Sequence, residues 1–270
     1  MTTLLNKSFY ARPLNDTMCA QHRPQQQSLS RDTIAMTWTQ QLIPTGKLRV
    51  CINLGNALLA QLEPKSQGPR GISVDLAQAL ARKLGAELQI QLVNTAKESV
   101  AAVANKEADI GFFAIDPARA KDIAFTQAYL HIDACYVVRK GSSLGGGQDL
   151  DRANTRIVVG LGSAYDLFLS RHLQKAGLIR APSTQEVMPV FWDKGYEVAA
   201  GLEHTMSEEV KKHPQLQILS PPFMTIAQAM GCHPSHSSVV KEGLQAFLDT
   251  QAKDIKANIA KQGLSGVSPA

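Results

Sequence analysis

Long apolar runs are missing from this chain: no segment reaches the roughly 18 apolar residues that a membrane span requires. There are four cysteines, Cys19, Cys51, Cys135 and Cys232. No two of them form a C-x-x-C, and no His and Cys residues cluster at the separations of a zinc site. His233 and His236 have no third ligand nearby and read as loop histidines. Cys51 and Cys135 fall in apolar runs where a thiol packs as a small hydrophobe, so free buried thiols are expected. The net charge is +5 and the pI about 9.0, yet no run of five Lys or Arg occurs and the basic residues are scattered. The footprint of a nucleic-acid binder is therefore absent. No helix-turn-helix precedes the main body of the chain. Gly160-Leu161-Gly162-Ser163 lacks the third glycine of a dinucleotide fingerprint and the Lys-Ser/Thr of a P-loop, so no nucleotide and no other cofactor is expected.

What is present is the composition of a globular α/β protein. With 270 residues, 44% hydrophobic and 19% charged, the chain can bury a substantial core as one large domain or two small lobes. Residues 1–42 contain no apolar core of about 7 to 15 residues and no lipobox at Cys19, so they carry no secretory signal. Pro24 and the Gln25 to Gln27 run interrupt any amphipathic helix, and the stretch reads as a disordered extension. From Ile43 strands and helices alternate. Lys47 to Leu54 reads as a buried strand, and Ser73 caps a helix whose apolar face is Leu76, Ala79, Leu80 and Leu84 and whose end is Gly85. Leu88 to Val93 is a strand and Thr95 to Asn105 a helix. After the strand Ala134 to Arg139 comes the loop Gly141 to Gly147, then the strand Arg156 to Gly160 and a helix over Ala164 to Lys175. A helix from Ser183 to Lys194, the strand Val198 to Leu202 and a short strand Leu216 to Leu219 stopped by Pro221-Pro222 follow. Helices then run through Val240, Leu244, Phe247, Ile255 and Ile259, and the tail 264–270 is expected to fray.

The stretch that organises the chain is ADIGFFAIDPARAKDIAFTQAY, Ala108 to Tyr129. Ile110 to Ile115 reads as a buried strand, and Asp116, Pro117 and Arg119 follow directly. Carboxyl ends of strands in open α/β sheets face the crevice where ligands bind. A guanidinium there can hold a carboxylate through two parallel hydrogen bonds. The bland alternative is a surface pairing of Arg119 with Asp116 or Asp122. A second candidate is the Gly160 to Ser163 turn, where glycines let the backbone approach a ligand and the following helix start offers unpaired N–H groups.

These segments resemble, in the same order, those of the family-3 solute-binding proteins, extracytoplasmic receptors for polar amino acids and related ligands. Asp116, Pro117, Arg119, Phe125 and Tyr129 match the family's T-P-x-R-like turn and F-x-x-x-Y, with Asp116 in place of the threonine. GISVDLAQALARKLG matches the start of its first long helix at Gly71, Ile72, Val74, Asp75 and Leu76, with Ser73 where an acid is usual. Gly162, Ser163 and Ala164 match its V-G-x-x-x-G-[ST] segment. The resemblance covers roughly Thr45 to Gly263.

The resemblance implies a two-lobed type II periplasmic-binding-protein-like α/β fold with two hinge-strand crossings. Lobe 1 would be built from 43–131 and 233–263 and lobe 2 from 132–232. It implies that Arg119 binds a ligand carboxylate, with Gly162, Ser163 and Ala164 opposite. Asp116, Asn53, Asn56 and Gln61 are further candidate contacts. Leu54, Leu58 and Leu59 stand where the family has an aromatic platform, which Phe112 or Phe113 could supply. The family's aspartate for an α-ammonium falls at Leu202, so either Glu203 substitutes or the ligand is not an α-amino acid.

The implied function is capture of a small carboxylate by a monomer that serves an ABC permease. The alternatives are an enzyme like the cyclohexadienyl and arogenate dehydratases of the same fold, with Asp116, Glu203 or His131 as general acid, and a cytoplasmic ligand sensor. The sequence as it stands points to the cytoplasm. A leader preceding or replacing its start would place it in the periplasm or outside the cell.

Overall fold

The computed structural model describes residues 38–63, 68–236, 238–263 and 265–270, so the expectation of disorder over 1–37 lies outside it. The first half of the chain builds a parallel sheet wrapped by helices. In order these are β1 (Lys47–Asn53), β2 (Gln61–Leu62), β3 (Pro69–Arg70), α1 (Ile72–Leu84), β4 (Glu87–Val93), α2 (Ala96–Ala104) and β5 (Ile110–Ala114). β1 lies between β4 and β5, parallel to both, while β2 and β3 pair as a separate small ribbon. The crossover helices are fixed by their ends. Thr95 and Glu98 close a reciprocal capping box at α2, which satisfies two of the unpaired N–H groups of a helix start. α1 begins at Gly71, not at a Ser73 cap as expected from the sequence. Gly71 holds φ of +127°, and a Cβ there would come within 2.5 Å of the Leu59 carbonyl.

Two long antiparallel strands connect this half to the next. β6 (Ala124–Arg139) and β10 (Leu216–Cys232) pair along nearly their whole lengths, with a register shift between Leu219 and Met224. Both are longer than the short strands read from the sequence. The Pro221-Pro222 pair sits in the irregularity and does not end β10, because the partner strand continues past it. Between them come β7 (Arg156–Gly160), α3 (Ala164–His172), β8 (Gly177–Ala181), α4 (Val187–Asp193), β9 (Val198–Leu202) and α5 (Glu203–Lys212). β7 lies between β8 and β9, parallel to both, and β9 joins β6 antiparallel. β8 and α5 were not anticipated. The whole is one sheet of nine strands, ordered β4-β1-β5-β10-β6-β9-β7-β8 with β11 (Val267–Pro269) on β6.

The core divides on either side of the β6/β10 ribbon, which makes the molecule two-lobed. On one side the 25-residue helix α6 (Ser238–Gln262) and α1 cover one face of the sheet, and α2 covers the other through Ala102 and Val103 against Phe113 and Ile123. On the other side α3 packs over Ala134, Tyr136 and Val138, while α4 and α5 pack over Cys135 and Val137. Each fully buried large side chain in these layers, Phe191 and Phe247 among them, contributes about 1.5–3 kcal/mol. Met230 and Cys232 of β10 belong to the first core, and Gln228 to Cys232 pair with β5.

Both chain ends depart from expectation. Residues 38–42 are helical and bury Trp38 and Leu42 in the first core. The indole lies so close to Gly243 of α6 that a Cβ there would come within 2.4 Å of it. Order thus starts ahead of Ile43, because an aromatic face against a glycine gains more by burial than the short helix loses in entropy. The tail does not fray: β11 pairs with β6 through Val267, Ser268 and Pro269, and the Asp133 N–H donates to the Gly266 carbonyl at 2.7 Å. Cys51, Cys135 and Cys232 are buried free thiols, with Cys135 pushed up to about 12 by burial. Cys19 lies outside the described residues. No helix among the described residues is long and apolar enough to cross a membrane.

Candidate functional site

The carboxyl ends of the parallel strands in both lobes point at one gap. From the first lobe come Asn53 and Asn56 after β1, Asn94 and Thr95 after β4, and Phe112 to Ala114 of β5. From the second come Leu161 and Ser163 after β7, Ser183 and Thr184 after β8, and Leu202 at the end of β9. This is the crevice that parallel α/β sheets leave open for a ligand. Its sides touch at the rim: the Thr184 hydroxyl donates to the Gly55 carbonyl at 2.6 Å, and Gln185 Nε2 donates to the Leu54 carbonyl at 3.2 Å.

Arg119 occupies the wall between the lobes. Its side chain leaves the turn after β5, where Arg119 N–H donates to Asp116 C=O, and it is only 6% exposed. Nη1 donates to the Ala114 carbonyl at 3.0 Å, and Nη2 donates across the gap to the Gly162 carbonyl at 2.9 Å. No carboxylate among the described residues pairs with it directly. Burial pulls its pKa down, and the charge of Asp116 partly restores it. The surface pairing with Asp116 or Asp122 does not occur.

Asp116, 2% exposed, is engaged elsewhere. Its carboxylate accepts from Arg171 of α3 at 3.1 and 2.7 Å and from the Ala118 N–H at 2.8 Å. It therefore stands beside the cleft as an inter-lobe clasp and does not line it.

The α3 start faces Arg119. Ser163 is its N-cap, its Oγ accepting from the Asp166 N–H. Gly162, at φ of +70°, takes a left-handed conformation that costs a glycine nothing. Its N–H donates to Asp166 Oδ2 at 2.8 Å, so it offers Arg119 its carbonyl and keeps no N–H for a ligand. Asp166 in turn is held by Arg180 at 3.0 Å. Ala164 and Tyr165, whose N–H groups open the helix without intrahelical acceptors, line the cleft together with Ser163.

Of the residues singled out from the sequence, Arg119, Ser163, Ala164, Asn53, Asn56, Phe112 and Phe113 all border the gap. The two phenylalanines packed on different neighbours, Phe112 edge-on to Tyr129 and Phe113 edge-on to Phe125. Glu203 does not reach the gap: its side chain lies against Gly266 of the tail, where a Cβ would come 2.9 Å from Oε2. Leu202 takes the cleft position. His131 on β6 opposite β11 and Gln61, exposed on β2, are both away from the lining.

Residues missed at first are Gln228, Ser73 and Thr184, all in the lining. Gln228 carried a signal, a lone amide inside the apolar run TIAQAM. Ser73 was hidden by its apparent fitness as a cap. No cluster of three His, Cys, Asp or Glu among the described residues could hold a metal.

With this geometry in view the likenesses to known proteins can be placed. The model of the bacterial extracellular solute-binding proteins, family 3, matches residues 48–264. The chain belongs to that family. It is 31% identical over 131 residues to a glutamine-binding protein of Geobacillus stearothermophilus, a match covering 47% of this chain and 50% of the relative. The chain thus spans about half the length of that curated relative in the match.

Two solved structures share the fold. One is an ancestral amino acid-binding protein, a precursor of cyclohexadienyl dehydratase, with 18% identity, TM-score 0.69, and 83% of this chain and 98% of the other covered. The other is an amino acid ABC transporter substrate-binding protein from Streptococcus pneumoniae bound to L-arginine, with 20% identity, TM-score 0.69, and 82% and 96% covered.

Proposed function

We propose that this solute-binding protein captures a small carboxylate, an amino acid or related polar solute, between its lobes and presents it to an ABC-type permease. The observation that carries the reading is Arg119: a cation 6% exposed whose side chain, among the described residues, hydrogen-bonds only to carbonyls of the two lobes. A buried charge with no counter-ion costs several kcal/mol, and an anion entering the cleft supplies the missing partner. Ser163, Ala164, Asn53, Asn56, Phe112 and Phe113 complete the site, and Asp116 and Gly162 serve it indirectly by holding the lobes together.

The lobes divide within the β6/β10 ribbon, and closure about it brings Arg119 against Gly162, so that a ligand touching both sides selects the closed form. A family of extracellular binding proteins, and relatives described as glutamine-binding and as an ABC transporter component, support uptake outside the cytoplasm.

The alternative, a dehydratase, is favoured only by the likeness to a dehydratase precursor. General acid–base chemistry needs a group titrating near neutral pH within reach of the substrate. The titratable residues in the lining are Arg119 and Tyr165, and burial pushes the Tyr165 hydroxyl up to about 12. Capture is the better-supported role. The test is a thermal-shift screen of amino acids and simple carboxylates on the native chain and on Arg119→Ala. A ligand at 100 times its Kd stabilises by about 2.7 kcal/mol, which is roughly 5–11 °C for a chain of this size. Equal responses from both proteins would remove Arg119 from the site, and conversion of prephenate or arogenate to an aromatic product would replace capture by catalysis.

A further inference from the structure

The cleft has a cation but no anion. Arg119 lines it, and among the described residues no Asp or Glu does. Carboxylates near its rim are engaged by other groups, Glu186 by the Ser183 hydroxyl at the mouth. Glu98 accepts from the N–H groups of Asn94 and Thr95, Asp116 is clasped by Arg171, and Asp166 is held by the Gly162 N–H and Arg180. Glu203 lies against Gly266, leaving Leu202 at the cleft. The two carbonyls nearest the guanidinium, Ala114 and Gly162, already accept from it. An α-ammonium is attached one carbon away from the carboxylate, so it would be buried next to Arg119 with like charge beside it and no carboxylate in the lining to meet it.

Two other polar groups do await a partner. Ser73 is 1% exposed, and its hydroxyl meets the equally buried Tyr129 hydroxyl without closing a well-formed hydrogen bond. Gln228 is 6% exposed, and its amide likewise makes no hydrogen bond to a described residue. Both line the same cleft. A hydroxyl and a carboxamide are suited to a neutral oxygen, to which each can donate. Around them Leu161, Leu202 and Ile226 offer apolar surface.

The geometry points to a 2-oxo or 2-hydroxy monocarboxylate with an apolar side chain as the ligand, rather than the α-amino acid of the same skeleton. This rests on the carboxylate reading of Arg119 and narrows it. The ligand's charge of −1 then matches the cleft's +1, its second-carbon oxygen meets Ser73 and Gln228, and nothing charged is left unpaired.

The test is calorimetric titration of the full chain with matched pairs: pyruvate against alanine, 4-methyl-2-oxopentanoate against leucine, and phenylpyruvate against phenylalanine. In each pair that binds, the 2-oxo acid is expected to be tighter by about a hundredfold or more, the cost of an unpaired buried ammonium. Leu202→Asp should reverse the preference by supplying the counter-charge. Amino acids that bind as tightly as their 2-oxo partners, with Arg119→Ala abolishing both, would overturn this inference and leave carboxylate capture standing. Silence from every pair and from simple carboxylates would overturn both.

Discussion

Replacing Arg119 by Met separates what the cation does for folding from what it does for binding. The methionine keeps much of the volume and removes the charge. In the ligand-free protein the guanidinium's desolvation, several kcal/mol, is set against two charged hydrogen bonds to Ala114 and Gly162, worth about 1.5–3 kcal/mol each. These terms cancel to within about 2 kcal/mol, so the melting temperature of the ligand-free variant should stay within roughly 4–8 °C of the native value. Binding has no such cancellation. Removing one partner of a buried ion pair costs about 3–5 kcal/mol, which at 1.4 kcal/mol per decade is roughly two to three and a half decades in Kd. Scanning calorimetry on the free proteins and titration with the tightest-binding carboxylate measure the two quantities. A variant that loses more than about 4 kcal/mol of stability while its Kd moves less than about tenfold would show that Arg119 is a structural strut, and the reasoning would fail.

Other consequences are equally open to measurement. The Asp116–Arg171 pair joins a carboxylate 2% exposed to a half-exposed guanidinium across the lobes. A double-mutant cycle with Asp116→Asn and Arg171→Gln, read by urea unfolding, should give a coupling of about 1–3 kcal/mol; a value under about 0.5 kcal/mol would class it with ordinary surface pairs. Gly71→Ala must fit a Cβ 2.5 Å from the Leu59 carbonyl at φ of +127° and should destabilise by at least about 2 kcal/mol, whereas an unchanged melting temperature would contradict the strain.

Burial depresses the His204 imidazole to about 4, and neither ring nitrogen has a hydrogen-bond partner among the described residues. The unfolded histidine titrates near 6.5 and takes up its proton first as pH falls. Its contribution is therefore complete above about pH 6.5 and shrinks down to about pH 4, a loss on the order of 3 kcal/mol. His204→Leu should flatten that limb of the stability profile, and an unchanged limb would assign it to other groups.

The sequence disclosed the features that local chemistry writes in one place. An apolar run ending in Asp-Pro-x-Arg put Arg119 just past a strand, and Gly162-Ser163 marked the start of α3, because strand, turn and cap signals act over a few residues. What depended on distant partners was hidden. Pro221-Pro222 reads as a stop, yet β6 carries β10 past it as an irregularity. The last residues read as a loose end, yet an open edge of β6 takes up Val267 to Pro269. Trp38 looked like part of an unstructured leader until Gly243, some two hundred residues on, gave its ring a flat seat. Glu203 read as a possible substitute in the site because it adjoins Leu202, yet adjacent residues at a strand end face opposite ways, and Glu203 turns to Gly266 of the tail. Asp116 illustrates the same limit, since its partner lies on α3 and nothing local distinguishes a clasp from a ligand contact.

The most direct trial of the central claim is a crystal structure of the full chain with its tightest-binding small carboxylate. The ligand's carboxylate should sit within hydrogen-bond distance of the Arg119 guanidinium and of the N–H groups that open α3 at Ala164 and Tyr165. A carboxylate bound elsewhere, with Arg119 still donating to Ala114 and Gly162 alone, would contradict it.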